Sequence, residues 1–327
     1  MYKYLSHNEI DLQKWDSCIE NSSNKNIYAL SWFLNIVSEN WDGIIEENSE
    51  KYLKVFPVTK SRRYGIKYIT QPPFAIQLGL FSSTDIVSTN DFVEILKILY
   101  LKYSYVLNYP FNHYNTPYIE RISDSYSFKQ NVTQHISLKR SYEETFSNFS
   151  KSRRKNIRKG LNDCIYVEEG NNIDELIDLF VANTAYKIYG GVNKIDYRLL
   201  TELCKKGKDK GVVKIFNAKN CKNEIIASTL ILDYKTTVVN LFSANNQEGR
   251  LRNGESILID FLIKKYSLKK DFIDLEGTGT LGIKEFKSRF NPEVVTYYSL
   301  TNNNLPFLLK IIKNVRKEIF QKLNFRE

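Results

Sequence analysis

Two carboxylates, Asp274 and Glu276, stand two positions apart in the segment 272–276, whose apolar start has the composition of a β-strand. Residues two apart on a strand project from the same face, so both side chains would point to one side of a sheet. A carboxylate that is buried there has a raised pKa and can accept a proton from an amine. Asp274 and Glu276 are therefore candidate general bases. The alternative is a solvated pair that is neutralised by a cation such as Lys284 or Arg289.

A lysine follows these carboxylates in the segment 283–290, whose pattern predicts a short helix. The preceding strand and this helix would bring Lys287 to the same end of the sheet as the two carboxylates. A cation there stabilises negative charge on a carbonyl oxygen or holds a phosphate, and its contribution grows where water is excluded. Lys287 is the third candidate catalytic residue, and the alternative is a solvated lysine on a two-turn helix.

A polar segment, 245–255, connects a predicted strand to the amino end of a predicted amphipathic helix. Unpaired backbone amides at a helix amino terminus, together with the helix dipole, form an anion-binding site. Gly249, Arg250, Arg252 and Gly254 are therefore candidates for binding a pyrophosphate group. The alternative is a solvated, positively charged loop.

A basic run, 151–159, holds six cations and no acidic residue. On a helix, most of these cations share one face. Like charges four residues apart cost helix stability, so an anionic partner would relieve their repulsion. Nucleic-acid phosphates, nucleotide phosphates and lipid headgroups would all serve, and the alternative is a solvated face.

Composition and motif content exclude several other classes of protein. At 327 residues the chain has the length of about two domains, and its net charge of +10 favours an anionic partner. The four cysteines form no CxxC pair and the three histidines all precede residue 136, so we expect neither a disulfide framework nor a bound metal. Without a GxSxG, HExxH or Walker motif, a hydrolase, a metalloprotease and an NTPase have no support. The sequence contains no apolar run long enough to span a bilayer and no signal peptide, so we expect a reduced, cytoplasmic protein.

The same order of elements is predicted in both halves of the chain: two helices, several strands, a helix and a strand. This repetition indicates an α/β fold with mixed sheets, formed by two tandem domains at 1–139 and 140–303 that are joined by a helical segment at 141–162. An amphipathic helix at 304–327 would pack on the body of the protein, on a second subunit or on a membrane surface. The predicted helices lie at about 10–19, 32–37, 91–102, 173–181, 195–206, 257–262, 283–290 and 305–323, and the predicted strands at 41–47, 51–59, 103–107, 132–138, 164–168, 212–216, 225–232, 237–242, 272–275 and 294–300.

The second half is similar to a GNAT acyltransferase domain, and three strings resemble the FemAB-like branch, in which two such domains are fused. The resemblance covers most of 140–300 in pattern, and over 1–139 it depends on the order of elements alone. The three strings are Ser-Arg-Arg-Lys-Asn-Ile-Arg-Lys at 152–159, Ile-Asp-Leu-Glu-Gly at 273–277 and Gly-Ile-Lys-Glu-Phe-Lys-Ser-Arg-Phe at 282–290.

This resemblance implies an acyl donor and roles for several residues. In GNAT domains the pyrophosphate of acyl-CoA or acetyl-CoA lies on the loop before the central helix, which maps onto Gly249 to Ser256 and adds Ser256 to the candidates. Fem-type transferases instead draw an aminoacyl group from tRNA and attach it to a peptidoglycan precursor. Lys287 corresponds to their carbonyl-steadying lysine. Their basic joint corresponds to Arg153, Arg154 and Arg158.

The expected function is N-acyl transfer from an activated donor such as acyl-CoA to an amine acceptor bound between two GNAT-like domains. Tyr68 and Gln71 are candidates to line the acceptor site. Direct transfer needs no covalent enzyme intermediate, in agreement with the lack of Cys–His and Ser–His pairs. Two alternatives stay open: an aminoacyl-tRNA-dependent transferase acting on a cell-wall precursor, and a non-catalytic protein that binds RNA or a membrane surface. A homodimer is also a prediction.

Overall fold

The computed structural model describes residues 1–63, 65–188, 191–276 and 280–306, and the chain divides into two compact units. The first unit consists of Met1–Asn131 with Tyr297–Glu327, and the second of Val132–Thr296. The domain limits at residues 139 and 303 stay a prediction. From residue 307 on, the predicted carboxyl-terminal helix lies outside the described residues.

The first unit contains an antiparallel sheet and a second group of strands that includes a parallel pair. The sheet has the order β1-β2-β3-β6, and in the second group β4 pairs with β5, which runs parallel to β7. In chain order, the elements are β1 (Lys3–Leu5), α1 (Leu12–Glu20), α2 (Ser31–Val37), β2 (Asp42–Glu47), β3 (Tyr52–Val58), β4 (Lys60–Arg63), β5 (Ile66–Thr70), β6 (Phe81–Ser82), α3 (Thr89–Lys102), β7 (Tyr105–Pro110), α4 (Thr116–Glu120) and β8 (Phe128–Ser137), whose last residues belong to the second unit.

The second unit is built on strands in the order β8-β13-β12-β11-β10-β9, antiparallel except for the parallel pair of β12 and β13. The last residues of β14 lie in the first unit, where Ser299 and Leu300 pair with β7. The elements after β8 are α5 (Tyr142–Ser147), α6 (Lys151–Asn162), β9 (Tyr166–Gly170), α7 (Ile173–Asn183), α8 (Lys194–Asp209), β10 (Val213–Lys219), β11 (Ile225–Tyr234), β12 (Thr237–Asn245), α9 (Gln247–Leu251), α10 (Gly254–Tyr266), β13 (Phe272–Asp274), α11 (Leu281–Ser288) and β14 (Glu293–Asn303).

Each unit has one parallel strand pair whose connection contains a helix. In the first unit α3 lies between β5 and β7, and in the second unit α10 lies between β12 and β13. A parallel pair needs such a crossover because the chain must return to the same end of the sheet. The predicted fold class, mixed α/β sheets in two tandem units, is confirmed.

The core of the second unit forms where α10 packs on the central strands. Ile257, Leu258 and Leu262 are buried in one cluster with Phe216 and Ile273. β11 is buried along nearly its whole length, which explains its run of apolar residues without alternation. These contacts fix the amino end of α10 relative to the ends of β12 and β13.

Two helical regions differ from the prediction because of short helices and their caps. The helical segment predicted at 141–162 is two helices, because Phe149 is buried between them and Ser150 caps the amino end of α6. Part of the predicted loop at 245–255 folds as α9, which Asn246 caps through its side chain.

No helix in the described part of the chain is long and apolar enough to cross a membrane. Nor do these residues group three His, Cys, Asp or Glu side chains in an arrangement that could hold a metal ion.

Candidate active site

A cavity opens in the second unit where two parallel strands stop pairing. β12 and β13 pair only from Thr237 with Phe272 to Val239 with Asp274. The residues that follow on both segments line a cavity of about 590 Å³. It lies at the carboxyl ends of two parallel strands, a place where α/β folds commonly bind ligands. From these two segments the lining residues are Asn240, Leu241, Ser243, Ala244, Asn245, Leu275 and Glu276.

β12 carries a bulge at the cavity. Leu230 pairs with Phe242 and Ile231 with Asn240, so Leu241 has no residue opposite it on β11. A bulge bends its strand and leaves the extra residue out of the ladder. The bend at Leu241 accounts for the early end of pairing between β12 and β13.

The segment between β12 and α10 uses its own backbone amides. Gly249 donates its amide to Oδ1 of Asn246 at 2.7 Å, Arg250 donates to the carbonyl of Asn246, and Arg252 donates to the carbonyl of Glu248. The first-turn amides of α10 have no partner within the helix, and the residue before it provides no side-chain cap. An anion at this junction would therefore meet the first turn of α10 rather than α9.

Two of the predicted phosphate-binding glycines are required by packing. A Cβ atom on Gly249 would lie 2.1 Å from the carbonyl oxygen of Ile226, and one on Gly254 would lie 3.0 Å from Cβ of Ala227. Gly249 also lines the cavity, whereas Gly254 is buried behind it. Both glycines let the α9–α10 segment lie directly on β11.

Glu255, in the first turn of α10, is a carboxylate of the cavity that the sequence analysis did not select. Its Oε2 accepts a hydrogen bond from Nδ2 of Asn245 at 2.8 Å. Burial raises the pKa of Glu255, and the positive charges of Lys287 and Arg153 oppose that rise. Its only sequence signal was its position directly after the predicted anion-binding loop.

Asp274 and Glu276 differ in their surroundings although they are two residues apart. Asp274 is 9% exposed and receives hydrogen bonds from Oγ1 of Thr133 at 2.5 Å and from the amide of Glu276 at 2.7 Å. Burial acts against its charge, but hydrogen bonds from His135 and Thr133 outweigh burial and lower the pKa of Asp274. Glu276 lines the cavity, and its buried Oε1 accepts no hydrogen bond from a described residue. Burial and the charge of Asp274 raise the pKa of Glu276, while Lys287 opposes them.

Lys287 lies on α11 and meets the end of β13. Its Nζ donates to the carbonyl oxygens of Leu275 and Glu276, the latter at 3.3 Å. Burial lowers the pKa of Lys287, while the charges of Glu276, Asp274 and Glu255 oppose that change. The cavity thus holds an ammonium group among carboxylates that are partly shielded from water, where electrostatic interactions are stronger than in bulk solvent.

Arg153 is separated from the other cations of the basic run. Its guanidinium is 2% exposed, donates to Oγ of Ser256 and to the carbonyl of Phe286, and stacks on the rings of Phe286 and Phe290 at 4.2 and 4.3 Å. Burial, assisted by Arg289, lowers the pKa of Arg153 to about 10, so it stays charged at neutral pH. Arg153 therefore joins α6, α10 and α11 at one wall of the cavity.

The remaining cations of the run lie on one surface of α6. None of them forms an ion pair with a described residue, and together they line a surface recess. Arg154 and Arg158 are thus placed apart from the cavity. These cations are Lys151, Arg154, Lys155, Arg158 and Lys159.

The structure brings most of the predicted site residues together and separates the rest. Lys287, Glu276, Gly249, Arg250, Ser256 and Arg153 line one cavity, with Asp274 buried directly beside Glu276. Arg252 instead pairs with Glu248 at 3.3 Å. Tyr68 and Gln71 lie in the first unit. There Tyr68 contacts the ring of Tyr105, and the side-chain amide of Gln71 bonds to Ala75 and Asn108.

The corresponding helix of the first unit has a closed amino terminus. Ser88 and Asp91 form a capping box at the start of α3. Asp91 also accepts hydrogen bonds from Tyr2 at 2.9 Å and from Lys54 at 2.8 Å. The first turn of α3 is therefore filled by the protein's own groups, whereas that of α10 borders a cavity.

Comparisons with known proteins establish the fold. No protein-family model matches the chain, and no curated protein matches it in sequence. A crystal structure of FemX aligns over 92% of this chain and 98% of its own, at a TM-score of 0.62 and 11% identity. L-PGS from Bacillus licheniformis aligns over 94% of this chain and 96% of its own, at a TM-score of 0.54 and 11% identity. A tandem GNAT protein from the clavulanic acid biosynthesis pathway aligns over 94% of this chain and 99% of its own, at a TM-score of 0.55 and 5% identity.

Proposed function

Because the chain has the FemAB-like, tandem GNAT fold, we propose that its second unit transfers an acyl or aminoacyl group from an activated donor to an amine. The observation that carries this proposal is the cavity at the ends of β12 and β13. It combines a carboxylate with a raised pKa, Glu276, an adjacent, partly buried ammonium group, Lys287, and the open first turn of α10.

Glu276 serves as the proton acceptor. An amine is protonated at neutral pH and attacks a carbonyl only after it loses that proton. A carboxylate whose pKa is raised by burial and by Asp274 has a proton affinity closer to that of the amine, which favours this transfer. The amine nitrogen then forms the C–N bond and gives up a second proton, which the leaving group takes as its bond to the carbonyl carbon breaks.

Lys287 supplies positive charge next to the reacting carbonyl. Negative charge develops on the carbonyl oxygen as the amine attacks, and a fixed cation in a site that excludes water stabilises it. The hydrogen bonds from Lys287 to the carbonyl oxygens of Leu275 and Glu276 hold its ammonium group at the end of β13. Asp274 is included in the proposed site, although its side chain lies beside rather than in the cavity.

Acyl-CoA is the first candidate donor. Its pyrophosphate would meet the first turn of α10 and Arg250, which lines the cavity. The amides of Gly249 and Arg252 are already bonded within the protein, so they do not contribute to this site. The amide of Gly254 is one of the first-turn amides of α10 that would meet the pyrophosphate, whereas the side chain of Arg252 pairs with Glu248.

An aminoacyl ester of tRNA is the second candidate donor, and one observation favours it. The five cations on the surface of α6 have no ion pair with a described residue, and such a surface suits a phosphate backbone. In this case the acceptor would be an amine of a cell-envelope precursor. A cytoplasmic location and an acceptor site that involves Tyr68 and Gln71 stay predictions.

A thermal-shift screen followed by a turnover assay tests the proposal. The full chain is heated with acetyl-CoA, a longer acyl-CoA, an aminoacyl-tRNA and uncharged tRNA. A donor at 100 times its Kd stabilises the native state by about 2.7 kcal/mol and raises the melting temperature. Turnover is then measured with that donor and a panel of amines.

Glu276→Gln should lower turnover by about a hundredfold or more, the range expected for loss of a general base. Glu285→Gln is the matched control, because Glu285 is exposed on the same helix as Lys287 and pairs with Arg289 at 2.7 Å. It should retain turnover within about a factor of two. Equal rates for the two variants, or no donor that stabilises the protein, would contradict the proposal.

A further inference from the structure

A buried hydrogen-bonded group lies directly behind the proposed proton acceptor. Asp274 accepts from the hydroxyl of Thr133 at 2.5 Å and from the amide of Glu276 at 2.7 Å, both through Oδ1. Nε2 of His135 lies 3.4 Å from its other carboxylate oxygen, Oδ2. Asp274 was predicted from the sequence as a site residue, whereas Thr133 and His135 were not.

These partners are held rigidly by the neighbouring strand. In the antiparallel pairing of β13 with β8, Asp274 lies opposite His135. The ring of His135 stacks on the ring of Phe272, with centroids 4.1 Å apart and an angle of 12°. Thr133 is fully buried. The carboxylate of Asp274 is therefore held by two hydrogen bonds on Oδ1, with the ring of His135 beside Oδ2.

The hydrogen bonds to Asp274 serve stability as well as position, because they outweigh burial, lower the pKa of Asp274 and favour its ionised form in the folded protein. Stability does not account for the second effect of this charge, which is to raise the pKa of the neighbouring carboxyl group, that of Glu276. Asp274 also accepts a hydrogen bond from the Glu276 amide, where the chain leaves β13 and reaches the cavity.

We propose that Asp274, held by Thr133 and His135, is a positioning residue that fixes the main chain at Glu276 and places a negative charge beside its carboxyl group. This inference rests on the proposed function, in which Glu276 accepts the proton. Asp274 acts through Glu276 and does not touch the substrate.

The charge of Asp274 has a consequence that can be measured without substrate. Together with burial it raises the pKa of Glu276, and Lys287 on α11 acts in the opposite direction. Two other charged or titratable groups nearby act on Glu276 only through its neighbours: His135 on β8 faces Asp274, and Glu255 on α10 interacts with Lys287. Loss of the Asp274 charge should therefore lower the pKa of Glu276.

The test is a pH titration of the Glu276 carboxyl carbon by NMR in the full chain labelled with carbon-13 at glutamate Cδ. Glu276→Gln removes and so assigns its resonance. Asp274→Asn keeps the shape and an oxygen that can accept the Glu276 amide, but it removes the charge. It should lower the midpoint of the Glu276 titration by about one pH unit or more, as expected for loss of an adjacent like charge. Ser228→Ala is the matched control, because it removes another buried side-chain hydrogen bond, that to Asn217, from the same group of strands.

A second measurement separates position from charge. Asp274→Ala should also speed hydrogen exchange of the Glu276 amide by about tenfold or more, whereas Asp274→Asn should leave it within about a factor of three. Thr133→Val, which keeps the side-chain shape, should give an intermediate increase and provides the test if the Asp274 variants do not fold.

An unchanged Glu276 titration in Asp274→Asn, or exchange in Thr133→Val equal to that of the unsubstituted protein, would overturn the inference. Full turnover in Glu276→Gln would instead overturn the proposed function and leave this titration result standing. The two failures are therefore distinguishable.

Discussion

Arg153→Ala should destabilise the second unit far more than the alanine substitution of any other cation in the basic run. Arg153 is buried and joins three helices: it lies on α6, donates to Ser256 on α10 and to the carbonyl of Phe286 on α11, and stacks on Phe286 and Phe290. Truncation removes all of these contacts at once. It also leaves a buried hydroxyl and a buried carbonyl without their donor.

The expected magnitude follows from these contacts. A hydrogen bond to a charged group contributes about 1.5–3 kcal/mol, and a desolvated cation–π contact contributes about 2 kcal/mol. The alanine variant in turn avoids the cost of burying a charge, which is several kcal/mol. The cavity that the truncation leaves cancels part of this gain. We therefore expect the free energy of unfolding to fall by about 3–5 kcal/mol. Lys155→Ala is the control, since Lys155 is exposed on the same helix, and it should change stability by less than about 0.5 kcal/mol.

The assay must report on the second unit. All three tryptophans, Trp15, Trp32 and Trp41, lie in the first unit, so intrinsic tryptophan fluorescence does not follow the second. Urea unfolding should therefore be followed by far-UV circular dichroism and by hydrogen exchange in α6, α10 and α11. Similar losses for Arg153→Ala and Lys155→Ala, or a loss below about 1 kcal/mol for Arg153→Ala, would refute the reasoning.

Three further substitutions test other parts of the second unit. Burial raises the pKa of Asp260 from 3.8 to about 6, against a hydrogen bond from Tyr142, so ionisation removes stability as the pH rises through this interval. Asp260→Asn should thus raise the free energy of unfolding by up to about 3 kcal/mol at pH 8 and leave it unchanged below pH 3.8. Urea midpoints at several pH values measure this difference. Gly249→Ala should cost about 1–3 kcal/mol in the same assay because its Cβ meets the carbonyl of Ile226. Gly282→Ala, on a helix with open space around it, should instead be neutral or slightly stabilising.

The sequence allowed prediction of the elements that have a clear hydrophobic pattern. The apolar positions that predicted the central helix include Ile257, Leu258 and Leu262, and all three are buried. Helix α9 was not predicted because it has only five residues, and the capping Asn246 is the one feature of the sequence that indicates it. A helix that short carries less than two turns of hydrophobic pattern, so only its cap distinguishes it from a loop.

The candidate site was partly predictable for a different reason. Glu276 follows β13 directly and Lys287 lies on the next element, α11, so short spacing along the chain brings both to the same end of a strand. The burial of Arg153 was not predictable, because its partners Ser256 and Phe286 are 103 and 133 residues away. In the sequence Arg153 is one of six similar cations, and only the packing of distant elements distinguishes it from the rest.

The two units show why chemistry is assigned to the second. Asp91 in the first turn of α3 and Glu255 in the first turn of α10 are acidic residues at the start of corresponding helices. Burial acts against the charge of Asp91, but its hydrogen bonds with Lys54, Ser88 and Tyr2 outweigh burial and lower the pKa, so ionised Asp91 stabilises the first unit above pH 3.8. Burial raises the pKa of Glu255 instead, so its ionisation costs the second unit stability. The proposed chemistry is therefore expected in the second unit, where Glu255, a carboxylate whose ionisation is opposed by burial, lines the same cavity as Lys287 and Glu276.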